Sequence, residues 1–386
     1  MKNALIVGGS RGLGHALAIK LEKERYENII ILDKTAPETT IPKVKYYQFD
    51  IYKDNLNILD NFNDIDTLII TAGIGRLASF DTFNDIEIEK TFQINTISII
   101  KIIRYFYPKI KNNQSFFCCI VSSISGIVSS PLFSLYAATK SALYRFAESI
   151  NIELEKENSN NRILNICPGF LGGTSFYGKD SDFSQLEELT NEILHKMYNR
   201  DTIFIPDFNK TYSDVLDRYR KDSRSFGLES YAYKKNSGRI VPNPMVKIGY
   251  LSGTFDLFHV GHLNILRQAK KYCDFLVVGV HKDALHKGKD VFIPFDERCD
   301  IVKNIIYVNK VIASKPEDCD VYHEVKYDYL FVGSDYKGTE RFRKYEEYFT
   351  DKNVEIVYIP YTHKTSSTKL REVIDRKRKE GIYAPS

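Results

Sequence analysis

The sequence predicts two α/β domains, each built as a doubly wound parallel sheet. Short runs rich in β-branched residues alternate with helical patterns through roughly the first 170 residues. A stretch bearing Gly238, Pro242 and Pro244 interrupts the alternation, and a second alternation of the same kind begins directly after it.

In the first cycle, 4–7, 29–32, 67–70, 116–122 and 162–166 read as buried strands. Helical periodicity fills 14–24 and 87–107. The stretch NSGRIVPNPMV at 236–246 reads as a linker. It sets the expected domains at 1–235 and 246–386, with 236–245 joining them. The second cycle opens with a strand at 247–251, followed by strands at 275–280, 329–332 and 354–358. Met245 stands where a free-standing enzyme could begin. The two halves carry different glycine motifs, so they are not an internal repeat.

Composition bounds the function. With 27% charged and 43% hydrophobic residues, the chain has the profile of a soluble globular protein. A net charge of +4 is too small for 386 residues to suggest nucleic-acid or membrane binding. No apolar run approaches the ~18–20 residues of a membrane span. The N-terminus runs straight into a glycine-rich loop, unlike a signal peptide. Cys118, Cys119, Cys167, Cys273, Cys299 and Cys319 show no CxxC spacing and read as reduced thiols. Cys118 and Cys119 share a strand, so their side chains should face opposite sides. These features predict a cytoplasmic enzyme with small-molecule substrates. A homodimer or homotetramer is expected.

The run Gly8-Gly9-Ser10-Arg11-Gly12-Leu13-Gly14 follows the first strand and opens a helix. Gly8 permits a tight turn, Gly12 a close approach of backbone to a pyrophosphate, and Gly14 close packing of helix on strand. The helix N-terminus favours the phosphate charge. Such a loop alone can be a mere turn; its strand–loop–helix setting gives it meaning. Asp33 ends the second strand 19 residues after Gly14 and suits the ribose hydroxyls of NAD. Arg11 opposes this, because a cation there could meet the 2′-phosphate of NADP. Farther on, Tyr136 and Lys140 are four apart on a helix, and Ser123 lies thirteen residues before Tyr136. Carbonyl reduction needs a proton donor beside the carbonyl oxygen. A tyrosine serves if a nearby ammonium lowers its pKa, and a serine can hold the same oxygen.

On these residues the first 235 or so positions resemble the short-chain dehydrogenase/reductase family. The glycine pattern falls on Gly8, Gly12 and Gly14, the Ala-Gly pair on Ala72-Gly73 and the acidic residue near the adenine on Asp50. The Asn-Ser-Tyr-Lys tetrad falls on Asn95, Ser123, Tyr136 and Lys140, and the Pro-Gly turn on Pro168-Gly169. The resemblance implies a Rossmann-like fold, NAD(P)H as cofactor, Tyr136 as general acid/base and Lys140 on the nicotinamide ribose. Val7 stands for the usual Thr and Thr71 for the usual Asn. Beyond Gly169, Arg218, Arg220, Lys221 and Arg224 form a basic cluster that reads as a solvated helix face, with a phosphate clamp as the alternative.

The second cycle carries Gly253-Thr254-Phe255-Asp256-Leu257-Phe258-His259-Val260-Gly261-His262 after its first strand. Two histidines three apart at a helix start can face one place, where the helix N-terminus also favours anions. That suits displacement at an α-phosphate, in which charge builds on phosphoryl oxygens. Zinc is disfavoured, because no third ligand is in pattern. Lys287 and Lys289 lie in a loop able to close on phosphates. Arg298 precedes a helix, and Thr365, Ser366, Ser367 and Thr368 offer hydroxyls at another helix start.

Residues 246–372 resemble the glycerol-3-phosphate cytidylyltransferase family. The resemblance rests on GTFDLFHVGH, Glu297-Arg298, the segment from Gly333 through Asp335 and Tyr336 to Gly338, and the hydroxyl-rich loop. It implies a Rossmann-like fold, transition-state stabilisation by His259 and His262, phosphate contact by Lys287 or Lys289, and Mg²⁺ on the triphosphate of CTP. Gly253, Thr254, Phe255, Arg298 and Asp335 complete the expected nucleotide site. Tyr361 replaces the family's Arg, and Lys364 is a candidate substitute for the charge. Adenylyltransferases share the HxGH pattern, so ATP stays open. In series, the two activities would reduce a keto-sugar phosphate and couple the polyol phosphate to CMP, giving a CDP-polyol for a bacterial surface polymer. An ADP-sugar enzyme, a pair of non-consecutive steps and a cofactor-sensing scaffold are the alternatives.

Overall fold

The computed structural model describes residues 2–24, 26–37, 39–112, 114–171, 182–241, 244–283, 291–360 and 367–379. The chain forms two compact units, Met1–Pro244 and Met245–Ser386.

The first unit holds strands β1 (Asn3–Val7), β2 (Asn28–Asp33), β3 (Val44–Gln48), β4 (Thr67–Ile70), β5 (Phe117–Val121), β6 (Ile163–Ile166) and β7 (Ile203–Phe204). They form one sheet in the order β3-β2-β1-β4-β5-β6-β7, and every pairing is parallel. Its helices are α1 (Gly12–Lys23), α2 (Asp85–Phe92), α3 (Ser98–Lys111), α4 (Ser134–Lys156), α5 (Glu187–Tyr198), α6 (Ser213–Lys221) and α7 (Ser223–Lys235). Alternation along the strands splits the core. Leu5, Leu32, Leu68 and Ile120 pack with Phe106 of α3, whereas Ile6, Ile31 and Ile69 pack with Leu17 of α1. Each fully buried side chain of this size contributes roughly 1.5–3 kcal/mol. Cys118 lies in the first cluster and Cys119 in the second, on opposite faces as expected. All six cysteines are free thiols.

The second unit contains β8 (Ile248–Gly253), β9 (Phe275–Val280), β10 (Lys310–Ala313), β11 (Tyr329–Gly333) and β12 (Glu355–Ile359), in the order β10-β9-β8-β11-β12. Around them lie α8 (Val260–Tyr272), α9 (Phe295–Lys303), α10 (Asp318–Glu324), α11 (Glu340–Phe349) and α12 (Ser367–Lys379). Leu251, Val278 and Phe331 pack with Leu266 of α8, while Tyr250, Val277 and Leu330 pack with Phe342 and Phe349 of α11.

Strand order reverses between β1 and β4 in one sheet and between β8 and β11 in the other. Open α/β sheets bind ligands outside the carboxyl ends of strands at such points. Gly8 and Ala72 sit at the first reversal, Gly253 and Gly333 at the second.

Two features differ from the sequence reading. The predicted helix over 87–107 is α2 and α3 joined by a π-helical turn, Gln93–Ile97, which carries Asn95. Strands β3, β7 and β10, all at sheet edges, were not foreseen. No helix among the described residues is long and apolar enough to cross a membrane.

Candidate active sites

In the first unit the glycine loop is shaped by contacts that exclude a side chain. Gly8 has φ +89°, and a Cβ there would lie 2.5 Å from Ala72 N. Gly12 has φ +51°. A Cβ on Gly14 would meet the Gly8 carbonyl oxygen at 2.3 Å and Thr71 Oγ1 at 2.5 Å. Thr71 donates to the Gly8 carbonyl at 2.8 Å, so the threonine that replaces the usual Asn pins the loop from β4. Helix α1 starts at Gly12, and its N-cap residue Arg11 provides no side-chain cap. Helix α1 thus opens directly out of the loop, and a helix N-terminus favours an anion. A dinucleotide fits this cradle.

Asp33 ends β2, and its carboxylate accepts from Ser10 N at 3.0 Å and Thr35 N at 3.4 Å. Ser10 Oγ donates to the Thr35 carbonyl at 2.6 Å. The acid therefore lies against the glycine loop, and Leu13 of α1 is buried in the core with Ile6 and Ile31. Asp50 stands just past β3, where its carboxylate accepts from Tyr52 N at 2.9 Å.

Asn95 is fully buried and fully engaged. It accepts from Ile74 N at 2.8 Å and donates to the Ile74 carbonyl at 2.7 Å and to Thr139 Oγ1 at 3.1 Å. Thr139 in turn donates to the Tyr136 carbonyl at 2.7 Å. The π turn thus ties the loop after β4 to the helix that bears Tyr136 and Lys140. Such π-bulges recur at functional sites. A Cβ on Gly73 would come 3.3 Å from Lys140 Nζ and 3.4 Å from Asn95 Oδ1. Lys140 donates to the Val121 carbonyl at 2.8 Å and lies 5.5 Å from the Tyr136 ring centre. Burial pushes its pKa down to about 8. The Tyr136 ring is stacked on Phe133 at 4.2 Å. Ser123 accepts from Ser125 N at 3.1 Å and donates to the Pro168 carbonyl at 3.3 Å, which links it to the Pro168-Gly169 turn. A Cβ on Gly169 would lie 1.5 Å from Tyr212 Oη, so a larger residue there would require the Tyr212 side chain to shift.

The basic cluster on α6 is a solvated face. Arg218 is paired with Glu229 and Asp214, and Arg220 with Asp217.

In the second unit the turn after β8 is strained. Phe255 and Leu257 have φ of +53° and +48°. Each such residue costs about 1–3 kcal/mol unless its surroundings hold it. Asp256 between them is 3% exposed and accepts from Phe292 N at 3.1 Å and Ile293 N at 3.0 Å. Its carboxylate also accepts from the Arg371 guanidinium on α12. The sequence reading singled out neither residue as functional; nothing local marks a partner so far along the chain.

His259 is the N-cap of α8. Its Nδ1 accepts from Gly261 N at 3.0 Å, and His262 Nδ1 accepts from His259 N at 3.4 Å. An imidazole nitrogen that accepts an N–H carries no proton, so each ring places its proton on Nε2. The rings stack 4.0 Å apart with 27° between their planes, which places two Nε2–H donors near a helix N-terminus. Burial lowers the His259 pKa, which keeps that ring neutral near pH 7. Thr254 Oγ1 is buried and has no hydrogen-bond partner among the described residues. Gly253 is packed by the Phe255 ring, with a Cβ 3.0 Å from Phe255 Cε2.

Arg298 departs from the expected contact with nucleotide. It is fully buried, and four of its five N–H donors go to the carbonyls of Ile293, Thr254, His281 and Lys282. It positions the loops after β8 and β9. Asp335 is exposed in a 3₁₀ turn at the carboxyl end of β11. Lys287, Lys289, Thr365 and Ser366 lie outside the described residues, as do the side chains of Ser367 and Thr368 at the start of α12. The described residues gather no three His, Cys, Asp or Glu side chains able to hold a metal ion.

Comparison with known proteins agrees with this division. The short chain dehydrogenase family model matches residues 2–183, and the cytidylyltransferase-like family model matches residues 250–373. The chain is 31% identical to the uncharacterized oxidoreductase TDA5 of Saccharomyces cerevisiae over 45% of its own length and 56% of that protein's. It thus spans little more than half of that relative. It is 36% identical to the glycerol-3-phosphate cytidylyltransferase of Bacillus spizizenii over 31% of this chain and 91% of that enzyme. It is 30% identical to the FAD synthase of Pyrococcus horikoshii over 33% of this chain and 88% of that one. Among solved structures, a short chain dehydrogenase from Burkholderia cenocepacia in complex with NADP aligns with a TM-score of 0.50 and 20% identity, covering 60% of this chain and 99% of its own. The C-terminal unit therefore belongs to the cytidylyltransferase-like family, and the N-terminal unit carries a region that matches the short chain dehydrogenase family model.

Proposed function

We propose that the N-terminal unit reduces a keto-sugar phosphate with NAD(P)H. The C-terminal unit then transfers CMP from CTP to the resulting polyol phosphate, giving a CDP-polyol and pyrophosphate. The observation that carries the reading is the pairing, in one chain, of the buried Asn95–Thr139 bond beside Lys140 with the stacked His259–His262 pair. A reductase makes a hydroxylated phosphate, and a cytidylyltransferase consumes one. The ranked acceptors are ribitol 5-phosphate or an isomer, then glycerol 3-phosphate.

In the first site a dinucleotide would be held by Gly8, Ser10, Arg11, Gly12, Leu13, Gly14, Asp33, Asp50, Ala72, Gly73, Pro168 and Gly169, and when bound it supplies the hydride. Tyr136 gives its phenolic proton to the carbonyl oxygen, and the Ser123 hydroxyl orients that oxygen. Lys140, as a cation, eases proton loss from Tyr136. Asp33 favours NADH, because a carboxylate accepts from ribose hydroxyls and repels a 2′-phosphate. A kcat/KM comparison with NADPH tests this, and a strong NADPH preference overturns it.

In the second site the acceptor's phosphate oxygen attacks the α-phosphorus of CTP, and the bond to the β-phosphate oxygen breaks. The Nε2–H donors of His259 and His262 meet the charge that develops on the α-phosphoryl oxygens. Mg²⁺ bound to the triphosphate would offset part of its charge. Lys287, Lys289 and the hydroxyls of 365–368 are the proposed contacts of the remaining phosphates. The likeness to a FAD synthase, whose named product contains adenine, favours the ATP alternative. Pyrophosphate release with CTP, ATP, GTP and UTP against ribitol 5-phosphate and glycerol 3-phosphate decides between them. If ATP surpasses CTP with every acceptor, the CDP-polyol reading fails.

A further inference from the structure

We infer that Tyr212 is a positioning residue of the reductase: its phenol holds one end of the Pro168-Gly169-Phe170 turn while Ser123 and Ile124 hold the other. The inference rests on the reading of this turn as part of the dinucleotide site.

Local structure brings Tyr212 to the turn. After β7, Asp207 takes the left-handed region at φ +55°, which a short polar side chain tolerates. Its carbonyl accepts from Thr211 N at 2.8 Å and Tyr212 N at 3.4 Å. Phe208–Tyr212 is thereby a π-helical turn that runs straight into α6. Like the turn that carries Asn95, it delivers a side chain to the site rather than continuing a regular helix.

The helices that follow lie over the loop after Ser123. Ile124, Val128 and Leu216 form a small buried cluster, and Tyr212, Val215 and Phe226 pack against it. A Cβ on Gly227 of α7 would come 3.4 Å from Ser129 Oγ. Ile124 and Tyr212 therefore share one packing unit, which fixes the distance between the two anchors of the turn.

The anchors are hydrogen bonds. The Pro168 carbonyl accepts from Ile124 N at 3.0 Å and from Ser123 Oγ at 3.3 Å. Two residues on, Phe170 N donates to Tyr212 Oη. Gly169 lies between them, and the Tyr212 phenol occupies the space a side chain would take: a Cβ there would meet Oη at 1.5 Å and Cζ at 2.3 Å. Tyr212 is half-buried, and burial raises its pKa, which keeps the oxygen a neutral phenol. Without that oxygen the Phe170 N–H loses its acceptor and the turn is held from one end alone. Hydride transfer is sensitive to placement on this scale, because the reacting atoms must be held in near-attack geometry. Tyr212 thus acts through the turn and needs no contact with the carbonyl.

The test uses the full-length enzyme with Tyr212→Phe, Gly169→Ala and the double variant. Affinity for NADH and NADPH is compared with affinity for ADP-ribose and 2′-phospho-ADP-ribose, which keep the adenosine end and lack the nicotinamide. In the wild type the complete dinucleotide should bind more tightly than its fragment. Tyr212→Phe should cut that advantage by about three- to tenfold, the weight of one lost hydrogen bond, with fragment affinity unchanged. The emission of bound NADH should move toward that of the free cofactor. A methyl on Gly169 displaces the same oxygen, so Gly169→Ala should show the same pattern, and the double variant should lose no more than the worse single one. Tyr212→Phe keeps the ring and carries the test if Gly169→Ala fails to fold. Fragment and dinucleotide weakened together would mark a general loss of structure and overturn the positioning role, as would losses that multiply in the double variant. If the wild type shows the nicotinamide advantage and Tyr212→Phe retains it, the dinucleotide reading stands and the inference falls. If the wild type binds none of the four ligands, or binds each dinucleotide no better than its fragment, the reading of the turn falls and the inference falls with it.

Discussion

The carboxylate of Asp256 accepts a hydrogen bond from the Arg371 guanidinium across 115 residues of sequence. The acid is 3% exposed and the arginine side chain 16% exposed, and Arg371 also lies 4.9 Å from the Phe292 ring centre. The pair ties the last helix to the turn that begins the HxGH segment. Removing one partner of a buried pair takes away the opposite charge that balances the other, at a cost of roughly 3 kcal/mol. Arg371→Ala should lower the stability of the C-terminal unit by about that amount in denaturant unfolding, and it should slow nucleotidyl transfer. An unchanged midpoint and rate would show that α12 docks without the pair.

Tyr136→Phe should cut reduction by about 10²–10⁴-fold, the usual weight of general acid catalysis. Nucleotidyl transfer should stay intact, because His259 lies in the other compact unit. Hydride transfer at near wild-type rate in the mutant would remove Tyr136 from the mechanism.

Reduction should also depend on the charge of Lys140. Its pKa is lowered to about 8 by burial, so the ammonium is present below that pH and lost above it. The cation is what eases proton loss from Tyr136, so kcat/KM for reduction should fall above about pH 8 as Lys140 discharges. The same shift acts on stability with the opposite sense. Between about pH 8 and the unfolded lysine value of about 10.4, the unfolded chain holds a proton that the folded one has released, so this group adds stability as pH rises. A flat kcat/KM profile through that window contradicts the assigned role.

His259→Ala and His262→Ala should each lower kcat for transfer far more than they weaken CTP binding, because the Nε2–H donors act on charge that develops in the transition state. The lowered pKa of His259 further predicts a transfer rate that does not fall as pH rises from about 6.5, the ordinary imidazole value. Weakened CTP binding with kcat unchanged, or a rate that needs imidazolium, would reassign the pair to ground-state binding.

Central strands and motif-bearing loops were legible in the sequence because the sheet buries them on both faces, which forces continuous apolar runs such as those of β1, β2 and β4. The edge strands were not. Residues 44–48, VKYYQ, are half-buried or exposed, β7 has two residues, and β10 exposes Lys310 and Ala313. A strand with one open edge needs no apolar run. The π turn at Asn95 was hidden because one inserted residue leaves helical periodicity nearly intact. At the sites, Tyr136, Lys140, His259 and His262 announced themselves by spacing along a helix. Asp256–Arg371 did not, since its meaning arises from where the last helix packs back on the turn after β8. Arg298 shows the reverse: a motif residue whose guanidinium is occupied by carbonyls.

The most direct test of the coupled reaction is mass spectrometry of one mixture containing the full-length enzyme, D-ribulose 5-phosphate, NADH, CTP and Mg²⁺. The account predicts a CDP-pentitol that appears only when both NADH and CTP are present, with no nucleotide product from the unreduced ketone. Transfer of AMP from ATP with none from CTP, or a CDP-product formed equally well without NADH, would contradict it.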